Sequence, residues 1–388
     1  MKTDLVKGFK DFIGKEMDKR VFITEIIQRT FAKYNFDYVE TPIIEYEEFV
    51  KGENVNDEAI SDIFRLQDKG KRNLALRYEF TFQLKRIAKN KKLPFRRFQI
   101  GPVFRDEPVS GNRLRQFTQC DVDIVGSTIK DEAEILAITK EILDALKIKC
   151  VIYVNNRKLL NEILSDLRIE NKEEVIRVLD KIDKLPLKDV KKNLKELGAE
   201  KVLDVVLQKE TAFTKYQAYS EIAELKKYCK YYGVEVKFCP FLARGLSYYN
   251  GNIFEIKSTI KETICAGGSY MVGANQATGI SLGLERLQAV TNIAVKPNKI
   301  LIVSLNEDKK AIELAQKLRK KGEYVSLYFG KPSKAMEYAN SYEIAKVIFV
   351  GAQEVRRKKF KIKDMKTGRE KTLILEKRRK RNIVLTKK

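Results

Sequence analysis

The sequence predicts an α/β chain in two parts: an α+β domain built on an antiparallel sheet and interrupted by a helical insertion, then a smaller α/β domain. Three observations carry this. Segments 74–81, 97–105 and 116–126 alternate strictly between apolar and polar residues, the period of strands with two unlike faces. Residues 155–208 switch to the spacing of amphipathic helices. From 299 onward apolar strands and helices take turns, the pattern of a compact α/β layer. The expected boundaries are 1–290 for the first domain, 155–208 for the insertion within it, 291–298 for a linker and 299–388 for the second domain with its basic tail.

Taken in order, residues 16–34 place apolar side chains at helical spacing, and FDYVETPIIEYEEF (36–49) follows as a strand carrying Pro42, which suits an edge or an interface. In LALRYEFT, Leu74, Leu76, Tyr78 and Phe80 point one way and Arg77, Glu79 and Thr81 the other. In RFQIGPVFR, Phe98, Ile100, Pro102 and Phe104 share a face opposite Gln99 and Arg105. In QFTQCDVDIVG, Cys120, Val122 and Ile124 oppose Phe117, Gln119, Asp121 and Asp123. An ordinary solvent face is one reading of such strands. Arg, Glu, Gln and Asp mixed over three strands instead suit the floor of a site for a zwitterion. The insertion reads as helices in NRKLLNEILSDL, KEEVIRVLDKIDKL and KDVKKNLKELG, broken by Pro186 and closed at Gly198. Strands resume in VEVKFCPFLARGLSYY, and GISLGLERLQAV (279–290) runs from strand into helix. In the second domain the order is KILIVSL, DKKAIELAQKLRKKG, YVSLYF, SKAMEYAN and AKVIFVG, then a hairpin around KTGR.

Composition limits the chemistry. A chain of 388 residues has room for two or three buried cores. Its five cysteines form no CxxC pair and it contains no histidine, so the usual zinc spacings, Ser-His-Asp and Cys-His catalysis are all excluded. Any catalysis must run on Arg, Glu, Asp, Gln, Tyr and metal. The free cysteines suit a reducing compartment. No apolar run approaches the roughly 18 residues of a membrane helix and the first residues lack a signal-peptide core, so a cytoplasmic protein with no membrane partner is expected. The formal charge of +24, from 77 Lys+Arg against 53 Asp+Glu, reflects either a solvated lysine-rich surface or a polyanionic partner, nucleic acid being the sharper reading.

One constellation is specific. FRDEPVSGNRLRQFTQCDVDIVG reads as two antiparallel strands joined by a loop of about ten residues. Arg105, Arg113 and Arg115 donate bidentately to phosphates and Phe117 offers a face to a nucleobase, so a nucleotide triphosphate fits. Gln119 and Asp123 share a strand face about 13 Å apart, a separation that brackets a small molecule. In ARGLSYYNGNIFEI, strand alternation would set Arg244 and Tyr249 on opposite sides. For both to serve one site, Arg244 must project from a loop before the strand, with Asn250-Gly251 as a turn or bulge.

With these residues in view, the chain resembles the class II aminoacyl-tRNA synthetases, and within them the histidyl-tRNA synthetase family. The strand-loop-strand resembles motif 2, TPIIE around Pro42 resembles motif 1, and GISLGLERL resembles motif 3. ARGLSYYNGNIFE and TICAGGSY resemble the two histidine-enzyme signatures. KGFKDFIGKEMDKR is similar to the family's opening and LRYEFT to its substrate strand. NNRKLLNEIL with VLDKIDKL is similar to its insertion, and GAQEVRRKKFKIKDMKTGREKT to its anticodon-binding domain, so the resemblance spans nearly the whole chain in collinear order.

The resemblance implies an antiparallel class II synthetase sheet and a histidine-tRNA ligase that uses L-histidine, ATP with Mg²⁺, and tRNA(His), as a homodimer. It implies Glu79, Thr81 and Gln119 around the α-ammonium, Asp123 and Tyr249 at the imidazole nitrogens, and Tyr270 along the same pocket. Arg105, Arg113, Arg244 and Arg286 would hold ATP phosphates, with Arg105 and Arg244 catalytic. Phe117 would stack on adenine and Glu107 support its edge; no protein metal ligand is implied with certainty, Glu255 being a candidate helper to Mg²⁺. The chain departs from the family at Ser247, Ser269, Met271 and the loop PVSGN. The alternative function is a non-catalytic histidine-binding regulatory paralogue, which usually lacks the anticodon-binding domain.

Overall fold

A computed structural model describes residues 3–51, 62–109, 111, 113–182, 185–244, 248–295 and 299–373. The chain divides into two compact units, Met1–Ala294 and Val295–Lys388.

The first unit is organised by an eight-stranded sheet. Its order is Asp37–Tyr38, Phe95–Phe104, Gln116–Val125, Asn275–Gly283, Cys265–Val272, Tyr249–Lys257, Val151–Asn156 and Lys237–Phe238. The two short edge strands pair parallel and all the others antiparallel. The alternation read in the sequence of 116–126 holds. Cys120, Val122 and Ile124 face one core with Ile23, Ile27 and Phe31 of the helix Gly14–Lys33 and Ile135, Ile138 and Ile142 of the helix Ile129–Ala145. The opposite face is left for a cavity.

Two expected strands are cut short. Segment 36–49 becomes Asp37–Tyr38 in the large sheet and Ile44–Tyr46 in a separate three-stranded sheet, followed by a helix Glu47–Lys51. Between them the Thr41 and Pro42 carbonyls accept from Nη1 of Arg77 at 2.6 and 3.4 Å, so a buried side chain takes the acceptors there. Segment 74–81 is a strand only over Asn73–Leu76, and a helix starts at Thr81. Residues 77–84 are all buried, so no alternation in exposure survives past Leu76. Glu79 and Thr81 thus reach the cavity from a strand-to-helix turn.

The insertion contains helices Arg157–Asp166, Lys172–Leu179, Leu187–Glu196 and Lys201–Val206, whereas Asn155 and Asn156 belong to the preceding strand. Asn156 caps the first helix, its side chain accepting from the Lys158 and Leu159 amides at 2.8 and 3.4 Å. That helix serves two cores at once. Leu159 and Ile163 face the main core, and Leu160 and Leu164 face an insertion core with Val175, Leu179, Val190 and Val206. Gly198, at φ +63°, ends Leu187–Glu196 in the left-handed conformation that glycine adopts without strain. After the helix Tyr219–Tyr231, the described residues of segment 234–248 hold only the two-residue strand Lys237–Phe238.

The second unit has a five-stranded sheet in the order Tyr324–Phe329, Lys299–Ser304, Lys346–Val350, Phe360–Asp364, Glu370–Leu373. The first three strands are parallel and the last two antiparallel. Helix Asp308–Arg319 packs Leu314 and Leu318 on one face, and helix Pro332–Ser341 packs Ala335 and Ala339 on the other. The hairpin around KTGR is present, its turn held by Asp364 Oδ1, which accepts from the Lys366 and Thr367 amides. A short helix Ala352–Arg357 was not anticipated from the sequence. The expected linker positions 296–298 and the tail beyond 373 lie outside the described residues. Among those that are described, no helix is long and apolar enough to cross a membrane.

Candidate active site

On the polar face of the large sheet a cavity encloses about 1050 Å³, open solvent at its mouth included. Of the site residues named from the sequence, Glu79, Thr81, Arg105, Glu107, Arg113, Phe117, Gln119, Asp123, Arg244, Tyr249, Tyr270 and Arg286 line it, whereas Arg115 does not, its guanidinium being taken by Asp106 at 3.0 Å and by the Glu107 carbonyl at 3.2 Å. The strand Gln116–Val125 supplies Phe117, Gln119, Asp121 and Asp123 at period two. Arg244 comes from the loop after Leu242, outside any strand, while Tyr249 opens the strand Tyr249–Lys257, as the alternation argument required. Between Tyr249 and Ile253 the register against Gly268 and Tyr270 slips, so Asn250, Gly251 and Asn252 stand opposite Ser269 alone. The Asn-Gly pair therefore sits in a bulge. Ser247, and Ser110 and Asn112 of the PVSGN loop, lie outside the described residues.

The cavity is polarised. Arg105, Arg113 and Arg244 gather around Arg286, the charges of all three acting on it. Nε of Arg105 donates to the Tyr78 carbonyl at 3.2 Å and Nη2 to Gln119 Oε1 at 3.3 Å, and its guanidinium lies 5.1 Å from the Phe117 ring centroid. It therefore covers one face of that ring and leaves the other. Arg113 pairs with Glu107, which also approaches Arg105 at 4.0 Å. Nη1 of Arg286 donates to the Thr263 carbonyl at 2.6 Å. Burial, then the positive charges of Arg105 and Arg113, lower its pKa, the mark of cations gathered with too few anions. For Arg244 burial works against the charge, but Tyr249, Glu255 and Asp180 outweigh it and raise the pKa, and its Nε is buried without a hydrogen-bond partner.

The other end is acidic. Burial pushes the Glu79 carboxyl up to about 7, opposed by the charge of Arg105. Burial and the neighbouring Asp123 push Asp121 up to about 6. Asp123 is also raised by burial, while Arg97, 2.8 Å away, and the Tyr270 hydroxyl, which donates to Oδ1, pull it back. The Arg97 contact is an ion pair whose angles are not those of a hydrogen bond. Gln119 donates to Ser281 Oγ at 2.7 Å and to Asp121 at 3.2 Å. Such an arrangement fits a ligand with an ammonium at the acidic end and phosphates at the arginine end.

Sequence reasoning missed several residues here. Arg97 shares the face of Gln99 and Arg105 and pairs in register with Asp123, so carrying the alternation back to residue 97 would have found it. Asp121 was on the polar face without a role, and Tyr248, whose hydroxyl lies 3.5 Å from Glu79, hid beside Tyr249. Glu255, the expected helper to a metal, does not line the cavity; it accepts from the Thr263 hydroxyl and lies 4.0 Å from Arg244 and Lys257. Glu285 does line it, but accepts from Arg20 at 2.9 Å and from the Thr118 amide at 3.1 Å.

An antiparallel sheet with arginines on its strand-loop-strand and on its strand-to-helix junction, followed in the chain by a separate α/β unit, has the make-up of a class II aminoacyl-tRNA synthetase. A family model described as histidyl-tRNA synthetase matches residues 8–287, and one described as an anticodon binding domain matches 299–380. The chain belongs to the histidyl-tRNA synthetase family. It is 34% identical over 415 residues to histidine-tRNA ligase 1 of Bacillus cereus, covering 95% of each chain, and 31% identical over 430 residues to histidine-tRNA ligase of Clostridium acetobutylicum, covering 97% of this chain and 99% of the relative. The crystal structure of histidyl-tRNA synthetase from Nostoc sp. superposes with a TM-score of 0.83 at 26% identity, covering 96% and 97% of the two chains. An ATP phosphoribosyltransferase regulatory subunit/histidyl-tRNA synthetase from Bacillus halodurans shares the fold, with a TM-score of 0.73 at 23% identity over 87% of this chain and 96% of that one.

Proposed function

We propose that the chain is a histidine-tRNA ligase. It activates L-histidine with ATP to histidyl-adenylate and pyrophosphate, then transfers histidine to the 3′ end of tRNA(His). The observation that carries this is the polarised cavity, arginines at one end and buried carboxylates at the other.

Activation needs no general base, because the carboxylate of histidine is the nucleophile on the α-phosphorus. Bond formation there expels pyrophosphate. The protein's work is alignment and neutralisation of the charge that develops at phosphorus. Arg105, fixed by the Tyr78 carbonyl, and Arg244, held above its ordinary pKa, fill that role at the α-phosphate. Arg113 and Arg286 hold the outer phosphates, and Phe117 stacks on adenine with Glu107 at its edge. Glu79, Thr81 and Gln119 surround the α-ammonium. Asp123 and Tyr249 pair with the ring nitrogens, with Tyr270 alongside. A competitor lacking those nitrogens leaves buried polar groups unpaired, a mismatch worth about 10⁴-fold or more in related cases.

Among the described residues no cluster of three metal-ligating side chains occurs, and the nearby Glu107, Glu255 and Glu285 are each engaged by arginine. These side chains suit Mg²⁺ that arrives as part of the substrate MgATP, where it neutralises the outer phosphates. We assign catalysis to 1–290 with its insertion at 155–208, and tRNA recognition to the basic surface and to 299–388. Exposed Tyr38, Ile43, Ile44, Tyr46 and Leu66 around the motif 1 segment support a homodimer. The reading carries a cytoplasmic location with it.

The test is acylation of a tRNA(His) transcript with labelled histidine in the presence of MgATP. Acylation is the expected result. Histidine binding without acylation would assign the chain to the regulatory role instead, which the anticodon-binding match over 299–380 weighs against.

A further inference from the structure

Behind the amino-acid end of the cavity lies a polar network that the activation chemistry leaves unused. Its centre is Glu132, in the first turn of the helix Ile129–Ala145 and 5% exposed. One carboxylate oxygen accepts from Asn252 Nδ2 at 2.7 Å and the other from the Ser269 hydroxyl. Oδ1 of Asn252, itself buried, accepts from Asn156 Nδ2 at 2.9 Å, and Asn156 caps the first helix of the insertion. Burial raises the Glu132 carboxyl to about 7, with Lys158 and Glu221 as the opposed charges around it. A buried carboxylate satisfied by neutral donors is costly, and an apolar residue would pack the same site at lower cost.

What the carboxylate joins gives it a purpose. Asn252 lies in the three-residue bulge, and Ser269 is the single residue opposite. A Cβ at Gly251 would stand 3.1 Å from Cβ of Ser269, so the bulge folds down onto the serine. Directly beyond this point Tyr249 and Tyr270 face each other in register, and both line the cavity. Ser269 stands where the resembled family commonly has arginine, and its short neutral hydroxyl suits a carboxylate that must reach two strands at once.

We propose that Glu132 is a positioning residue for the amino-acid end of the site: it ties Asn252 and Ser269 across the bulge and so fixes where Tyr249 and Tyr270 stand against the substrate side chain. The proposal rests on the pocket assignment above and deepens it. Glu132 touches no substrate. Its effect is transmitted through the two strands.

The test is Glu132→Met, which keeps the length of the side chain but removes both acceptors and so cuts the ties to the Asn252 amide and the Ser269 hydroxyl. In pyrophosphate exchange the KM for histidine should rise at least about tenfold and that for ATP change by less than about twofold, since misplacing contact groups by about 1 Å can cost 100-fold. Glu132→Gln keeps an oxygen for the Asn252 amide and offers its own amide to the Ser269 hydroxyl, which can accept, so it should retain most of the parent's affinity for histidine. Equal rises in both KM values, no rise in Glu132→Met, or a Glu132→Gln as impaired as Glu132→Met would overturn the proposal. A second readout needs no ligand: amide hydrogen exchange at 249–253 and 268–271 should quicken in Glu132→Met and elsewhere stay as in the parent. Unchanged exchange there overturns the positioning role even if another amino acid proves to be the substrate. Should Glu132→Met fail to fold, Ser269→Ala removes one of the two ties and is read in the same way.

Discussion

At the scale of single residues, the absence of histidine has a consequence for how this protein titrates. No side chain of ordinary pKa changes charge between pH 5 and 8. That range falls to buried carboxyls, Glu79 and Glu132 near 7 and Asp121 near 6. Glu79 is raised above its ordinary 4.5, so the ligand-free folded state holds a proton that the unfolded chain has released. Its contribution to stability is therefore complete below pH 4.5 and is lost as pH rises through about 7. At about 1.4 kcal/mol per pKa unit this amounts to roughly 3 kcal/mol at most. The melting temperature of the ligand-free protein should fall between pH 5 and 7.5, and should fall less in Glu79→Gln. Parallel curves for the two proteins would refute the assignment. With the histidine ammonium placed at Glu79 as proposed, binding favours the ionised carboxyl, so the stabilisation that histidine confers should grow with pH over the same range in the parent more than in the variant.

The same scale shows what the sequence could and could not display. Gln119 and Asp123 could be set on the cavity face from the sequence because they lie on one strand of unbroken period, and Arg105 because it directly follows the strand Phe95–Phe104. Arg97 and Asp121 were equally periodic, but nothing in a linear pattern says that a charge at 97 pairs across strands with one at 123. Glu132 was out of reach, since a glutamate in a first helical turn reads as an exposed acidic cap until tertiary contacts bury it.

At the scale of elements, the sheet works as a site because its polar face is kept open by glycines packed closely between strands. A Cβ on Gly267 would come within 2.0 Å of the Gly279 carbonyl, and one on Gly279 within 1.9 Å of Asp123 Oδ1. Gly279→Ala must therefore push Asp123 off Arg97 and Tyr270. We expect a stability loss of about 1 to 3 kcal/mol from overpacking and a histidine affinity reduced more than that for ATP, measured by thermal melts and calorimetry. Affinities for the two ligands that fall together would contradict this. Strand failures have equally local causes. Segments 36–49 and 74–81 carry good strand patterns, yet Arg77 takes the Thr41 and Pro42 carbonyls and its Nε donates to the Pro102 carbonyl at 2.9 Å. A side chain reaching back 36 residues to close a turn leaves no local signal. The bulge after Tyr249 was legible, because Asn-Gly inside an apolar run has few other uses.

At the scale of the whole molecule, the two units have separate apolar cores, and this explains why the change of pattern near 299 was visible in the sequence. All the groups assigned to activation lie in the first unit, Met1–Ala294. The central claim is that this unit's cavity joins histidine to the α-phosphate of ATP. The most direct measurement is exchange of labelled pyrophosphate into ATP with Mg²⁺ and each of the twenty amino acids in turn. The account predicts exchange with L-histidine and background rates with the others. Exchange driven by a different amino acid, or by none while histidine still binds, would contradict it.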